Sequence, residues 1–212
     1  MGVLIKDFLS QKLRPVLKQR GYVNKGNSFL RENGEMIYII NIQGSSLFSW
    51  EGKETFYVNV GIVSTSVERA VGHVCSIKET SPSNLLFSQV FFRAQDLLPL
   101  ENHEYTIDVI DNFDNTDKCL EDIIQVDERF NQIKCVEDLY DLLFKSPGSR
   151  EVWERTYMKY WAMTGDWQRF DRIYEETSHF CKANRIETSF MKELESLCQE
   201  YGHKPVTISN AG

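Results

Sequence analysis

Two short β-prone runs, Ser28 to Arg31 and Met36 to Gln43, flank the tetrapeptide Glu32-Asn33-Gly34-Glu35. An Asn-Gly pair between such runs is a strong two-residue hairpin signal, because both residues tolerate the positive φ that a tight reversal needs. No other stretch constrains the fold as much. It forces two antiparallel neighbours, and Thr55 to Val63 supplies a third strand beyond a loop from Gly44 to Gly52. Ahead of the hairpin, Ile5, Phe8, Leu9, Leu13, Val16 and Leu17 give Val3 to Arg20 one buried helical stripe and a basic outer face. Pro15 predicts a kink or break near Arg14, and Gly21 a left-handed cap.

Downstream, Ser64 to Ser83 has no sustained period and reads as a long connection. Leu85 to Arg93 and His103 to Ile110 read as two more strands, with Leu97-Leu98-Pro99-Leu100 as the turn between them. After Asp111 the period becomes helical and stays so, through the helix of Cys119 to Ile133, that of Val136 to Phe144, and the aromatic-rich stretch from Trp153 to Tyr201. The expected fold class is α+β: a mainly antiparallel sheet of about five strands, an N-terminal helix packed on it, and a C-terminal helical bundle. The expected division is a sheet domain over 1–115, a helical extension over 116–203 packed on that domain, and a loose tail over 204–212.

Charge is distributed unevenly. Residues 1–31 hold seven basic side chains against Asp7 alone, whereas residues 101–128 hold ten acids against Lys118. This predicts a bipolar molecule with a net charge of -7. An acidic balance disfavours general affinity for nucleic acid or anionic membrane and favours a basic protein partner. Asp108, Asp111, Asp114 and Asp117 are the candidate partner-binding residues. No apolar run approaches the roughly 18 residues of a spanning helix, and the five cysteines show no paired spacing. Reduced thiols and a cytoplasmic location are expected, with the chain a monomer or homodimer.

The segment Arg20-Gly21-Tyr22-Val23-Asn24-Lys25-Gly26-Asn27-Ser28-Phe29-Leu30-Arg31 follows a helix containing Leu13-Arg14-Pro15-Val16-Leu17-Lys18. Together they resemble the opening of a bacterial domain-of-unknown-function family, number 4304. Its pattern is a Leu-Lys-Pro helix, a Gly-aromatic pair, a Lys-Gly step, an aromatic and Arg, then a strand ending in Gln. Here those positions are Gly21, Tyr22, Lys25, Gly26, Phe29, Arg31 and Gln43, followed by Phe56 to Ile62 with Asn59 and Gly61. The resemblance covers the first 110 to 130 residues and departs at Leu30, where a second aromatic is expected, and in the basic count around Val23-Asn24. It implies a fold and no reaction. The stretch Tyr157 to Glu176, turning at Gly165-Asp166-Trp167, is similar to a single tetratricopeptide hairpin without a second copy.

Phosphate-binding glycine loops, nucleophile elbows, His-Glu-x-x-His pairs and dinucleotide fingerprints are all absent from the sequence. His179, Cys181, Cys198 and His203 are ligand types that zinc takes, but at unsuitable spacing. Asp111, Asp114 and Asp117 lack the alternation of a calcium loop, and Cys75 near His73 makes at best a shared strand face. No cofactor or metal is expected. Trp153, Tyr157, Tyr160, Trp161 and Trp167 are either core or an interface. The expected function is a non-catalytic, immunity-like protein-binding module acting through its acidic surface. The alternative is an enzyme for a small anionic substrate with a cleft near the candidate anion-binding residues Lys25, Arg31 and Gln43. At Lys25 and Arg31, pairing with carboxylates competes with that anion site.

Overall fold

A computed structural model of the chain describes residues 2–50, 52–73, 75–78, 90–102, 104–109, 116–144, 150–185 and 188–205. They form two compact units, the first of residues 1–65 and 74–146, the second of 66–73 and 147–212. The helices over Thr116–Phe130 and Val136–Phe144 fall in the first unit together with the sheet.

The first unit starts with α1 (Val3–Phe8), a π-helical turn over Leu9–Leu13, and α2 (Arg14–Gln19). The irregularity expected near Arg14, a kink or a break, takes the form of this π-helical turn. Pro15 sits in the first turn of α2, and the wide turn before it, in which the Arg14 N–H reaches back to the Leu9 carbonyl, accommodates the ring without interrupting the helix. Gly21, at φ 85°, then ends α2 in a Schellman arrangement: Tyr22 N–H donates to Leu17 O at 3.0 Å and Gly21 N–H to Lys18 O at 3.1 Å.

The sheet consists of β1 (Val23–Lys25), β2 (Ser28–Asn33), β3 (Met36–Trp50), β4 (Lys53–Ser64), β5 (Val90–Arg93) and β6 (Tyr105–Asp108). All pairings are antiparallel, in the order β1-β2-β3-β4, with β5 and β6 both on the remaining edge of β4. The hairpin is present, one residue later than its Asn-Gly signal. Asn33 pairs with Met36, so Gly34 at φ 61° and Glu35 form the loop, the type II′ pattern with glycine first. This moves every β2–β3 partner by two residues and sets Arg31, not Phe29, opposite Tyr38. β1, only three residues long, gave no periodic signal. The expected loop over Gly44 to Gly52 is instead an extension of β3, whose register with β4 shifts between Ser45 and Trp50. The connection after Ser64 contains α3 (Thr65–Ala70), too short to show a period, and α4 (Ala94–Leu97) follows β5 directly. Residues 85–89 of the fourth expected strand lie outside the described residues.

Alternation along β3 and β4 separates the two sheet faces. One carries Tyr38, Ile40, Ile42, Phe56, Val58, Val60 and Ile62 and meets α1, α5 (Thr116–Phe130) and α6 (Val136–Phe144). There the Phe8 and Phe56 rings lie 5.5 Å apart, Tyr38 stacks on Phe130 at 5.1 Å, and the Tyr38 hydroxyl donates to Ile133 O at 2.7 Å. The Glu54 carboxylate accepts from Leu4 N–H and Ile5 N–H at the start of α1. The opposite face holds an apolar cluster of Leu30, Ile37, Ile39, Val63 and Ile77.

In the second unit, α7 (Arg150–Thr164), α8 (Trp167–Asn184) and α9 (Ser189–Glu200) are joined with Gly165 at φ 76° in the first turn. Tyr157 and Trp161 are buried, not displayed for a partner, with ring centroids 5.8 Å apart. Past α9, the His203 ring stacks on Trp167 at 4.0 Å, and its Nε2 lies 2.6 Å from buried Asp171 Oδ1. The Trp153 side chain lies outside the described residues, as does most of the expected tail. Among the described residues no helix is long and apolar enough to cross a membrane.

Candidate functional site

The apolar cluster covers only part of its sheet face. Beside it, the register aligns Lys25 with Ser28, Ser28 with Asn41, Asn41 with Asn59, and Asn59 with Arg93. One polar residue from each of β1, β2, β3, β4 and β5 thus forms a straight row about 19 Å long, four strand spacings. A row of polar groups on a sheet is costly to bury unless each finds a partner.

Partners are supplied in one direction. A guanidinium only donates, so Asn59 turns its amide oxygen to Arg93 and leaves its NH₂ facing the other way. Arg93 Nη1 donates to Asn59 Oδ1 at 2.7 Å; Asn59 Nδ2 donates to Asn41 Oδ1 at 3.2 Å and to Gln43 Oε1 at 3.0 Å; Asn41 Nδ2 donates to Ser28 Oγ at 2.8 Å. Arg93 Nη1 also reaches Gln43 Oε1 at 3.3 Å. Aligned amide dipoles polarise one another, with their oxygens toward the cation. Ser28, Asn41 and Asn59 are only 1%, 7% and 1% exposed, whereas Gln43 is exposed and Arg93 and Tyr57 half-buried. The row therefore has a sealed middle, with the half-buried cations Lys25 and Arg93 at its two ends. At the β5 end the Arg93 guanidinium lies over the Tyr57 ring, 4.1 Å from its centroid. No carboxylate among the described residues pairs with that side chain, and its Nε and Nη2 meet no acceptor there.

The three expected anion-binding residues do not converge. Lys25 and Gln43 share the polar face, but the Lys25 ammonium donates to the Ile77 carbonyl. Arg31 belongs to the opposite face, and Gln43 is five residues beyond its partner Tyr38, about 17 Å along the strand. Arg31 Nη2 lies 2.8 Å from Asp127 Oδ1, a Coulombic contact rather than an aligned hydrogen bond, and its guanidinium sits 5.1 Å from the Tyr22 ring centroid and 4.9 Å from that of Tyr38. Asp127, its side chain 2% exposed, also accepts from Arg20 Nη1 and from the Tyr22 hydroxyl, each at 2.7 Å. Burial, reinforced by the Asp127 charge, pushes the Tyr22 hydroxyl far up, so it stays a donor. Of the two readings open for Arg31, carboxylate pairing is the one the structure contains.

Asp127 also links the two charged segments. Lys12, Arg20 and Arg31 of the basic segment pair with Asp117, Asp127 and Asp127 of the acidic one. Asp122 is buried too, accepting from the Tyr105 hydroxyl at 2.9 Å with Lys118 3.3 Å away. Two of the ten acids therefore anchor the core. Of the expected partner-binding residues, Asp117 is exposed and lies 3.9 Å from Lys12, Asp108 is half-buried, and Asp111 and Asp114 lie outside the described residues.

The zinc candidates are dispersed among other partners. His179 lies 3.7 Å from Glu175, Cys181 contacts the Thr188 hydroxyl, and His203 is taken by Asp171. Burial, with the Asp171 and Glu195 charges, pushes the Cys198 thiol up to about 11, away from the thiolate a metal requires. Among the described residues no group of three or more His, Cys, Asp or Glu is placed to hold a metal ion. His73 Nδ1 lies 2.8 Å from Glu68 Oε2, and Cys75 packs on the apolar cluster.

Sequence reasoning isolated Gln43 and Asn59 but missed Ser28, Asn41, Tyr57 and Arg93. Their signal was present as polar residues at alternate strand positions, yet only the register brings Arg93 beside Asn59 across a long connection. A family model described as Domain of unknown function (DUF4304) matches residues 13–134, which include every residue of the row and Asp127. No curated protein and no solved structure matches the chain.

Proposed function

We propose that this chain, which belongs to the DUF4304 family of domains of unknown function, is a non-catalytic binding module that takes an anionic group at the Arg93 end of its polar row. The observation that carries this reading is Arg93: a cation stacked on Tyr57, aimed by Asn59 and Gln43, whose guanidinium has no carboxylate among the described residues within ion-pair distance, the Asp96 carboxylate being taken by its backbone N–H. An uncompensated, pre-oriented guanidinium is an anion receptor whose ordering cost is met on folding. The row is made of amides, a hydroxyl, an ammonium and a guanidinium. Its described members include no imidazole or carboxylate to move a proton near neutral pH, which favours holding a ligand over transforming it.

The test is thermal unfolding at constant ionic strength against a panel of small anions. Wild-type protein gains a saturable rise in Tm with at least one of them, and the ligand is recovered chemically unchanged. Arg93→Met shows no rise. Equal responses in the two proteins reject the site.

A second reading, immunity-like engagement of a basic protein, draws on the outer side of α5, where Asp117 and Glu121 side chains are 70% and 67% exposed. Changing Asp108, Asp111, Asp114 and Asp117 together to Asn removes a stoichiometric, salt-sensitive basic partner from a pull-down if this face is used. Retention of that partner by the variant rejects it.

A further inference from the structure

Resting on that reading, we infer that the anionic group is a carboxylate, gripped side-on by Nε and Nη2 of Arg93. The guanidinium has two edges on which two parallel N–H groups can meet two oxygens. The edge that includes Nη1 is taken, because Asn59 Oδ1 and Gln43 Oε1 both accept from it. What remains is the Nε and Nη2 edge, whose donor spacing matches the oxygens of one planar carboxylate.

Charge separates carboxylate from phosphate. Among the described residues the site offers one cation, since the other cation of the row, Lys25, is four strands away with its ammonium on the Ile77 carbonyl, and the Asp96 carboxylate, which accepts from the Arg93 backbone N–H at 3.1 Å, adds negative charge nearby. A phosphate monoester brings about 1.5 to 2 negative charges at neutral pH and would leave part of that charge unanswered here, whereas a carboxylate is matched one to one. The Tyr57 ring beneath the guanidinium holds its plane and shields one side from water, which strengthens a single in-plane pair. Gln43 Oε1, committed to Asn59 and to Arg93 Nη1, helps fix the guanidinium from the side opposite its Nε and Nη2 edge.

The experiment follows the Arg93 Nε–H resonance in wild-type protein during titration with acetate, lactate, inorganic phosphate and phenyl phosphate at fixed ionic strength. The expected result is a saturable shift with both carboxylates, and binding at least about tenfold tighter than for either phosphate. Arg93→Lys keeps the charge and loses the two-donor edge, so lactate affinity falls by at least about tenfold. Phosphate binding as tightly as carboxylate at this resonance overturns the carboxylate assignment and leaves the anion site standing. A resonance that none of the four ligands moves overturns both. The wild-type titration decides the matter even if Arg93→Lys fails to fold.

Discussion

Arg31 and Arg93 are both strand arginines lying over tyrosine rings, on opposite faces of one sheet. Arg31 is enclosed with Asp127, and its charge is answered inside the fold. Arg93 is held by neutral amide oxygens, and no carboxylate among the described residues forms an ion pair with its guanidinium. Both sites use oxygen acceptors and an aromatic surface to fix a guanidinium. The difference is the formal charge of the acceptor, which turns one arginine into an anchor and leaves the other able to take a ligand.

The largest expected effect lies on the anchored side. Asp127→Ala leaves two arginines and the Tyr22 hydroxyl facing an unpaired space and lowers stability by about 3–5 kcal/mol, readable by chemical denaturation. Asn59→Leu breaks the middle of the amide chain and strands the Asn41 oxygen and an Arg93 donor, for a loss of about 1–3 kcal/mol. Arg93→Met costs less than about 1 kcal/mol, because the removed cation has neutral partners and an accessible edge. Should Arg93→Met destabilise as much as Asp127→Ala, the contrast between the two arginines fails. Lys12→Ala, removing an exposed 3.9 Å pair with Asp117, changes stability by at most about 0.5 kcal/mol. A small pH effect belongs to Cys198: its folded value of about 11 exceeds the 9.0 of a free thiol, so unfolded chains release a proton that folded ones keep. Its contribution is present in full below pH 9 and declines between about 9 and 11, measurable as a Tm difference from Cys198→Ser.

Much of the fold was legible because it rests on local chemistry. The hairpin, the Gly21 cap, the N-terminal helix and the helices after Asp111 each follow from a spacing or a backbone requirement within a few residues. Errors arose where backbone pairing alone holds an element, as in β1 and the extension of β3, or where a partner is distant in sequence. Asp127 and Asp122 read as surface charge because nothing near them announces Tyr22 or Tyr105. The site was legible in part: Gln43 was chosen, but the nearest arginine in sequence was Arg31, whereas the register supplies Arg93 from β5. A one-residue error in the turn would also have set Phe29 opposite Tyr38 and concealed the reason Arg31 is enclosed.

Residues 66–73 belong to the same compact unit as residues 147–212. During synthesis this short segment emerges well ahead of its companions. At a translation rate of about 5–20 residues per second, the roughly 74 residues between them take about 4–15 seconds. The sheet strands through β4 are available for pairing throughout that interval, while the helical unit cannot close. The order of biogenesis is thus written into the chain path: sheet first, helical unit last.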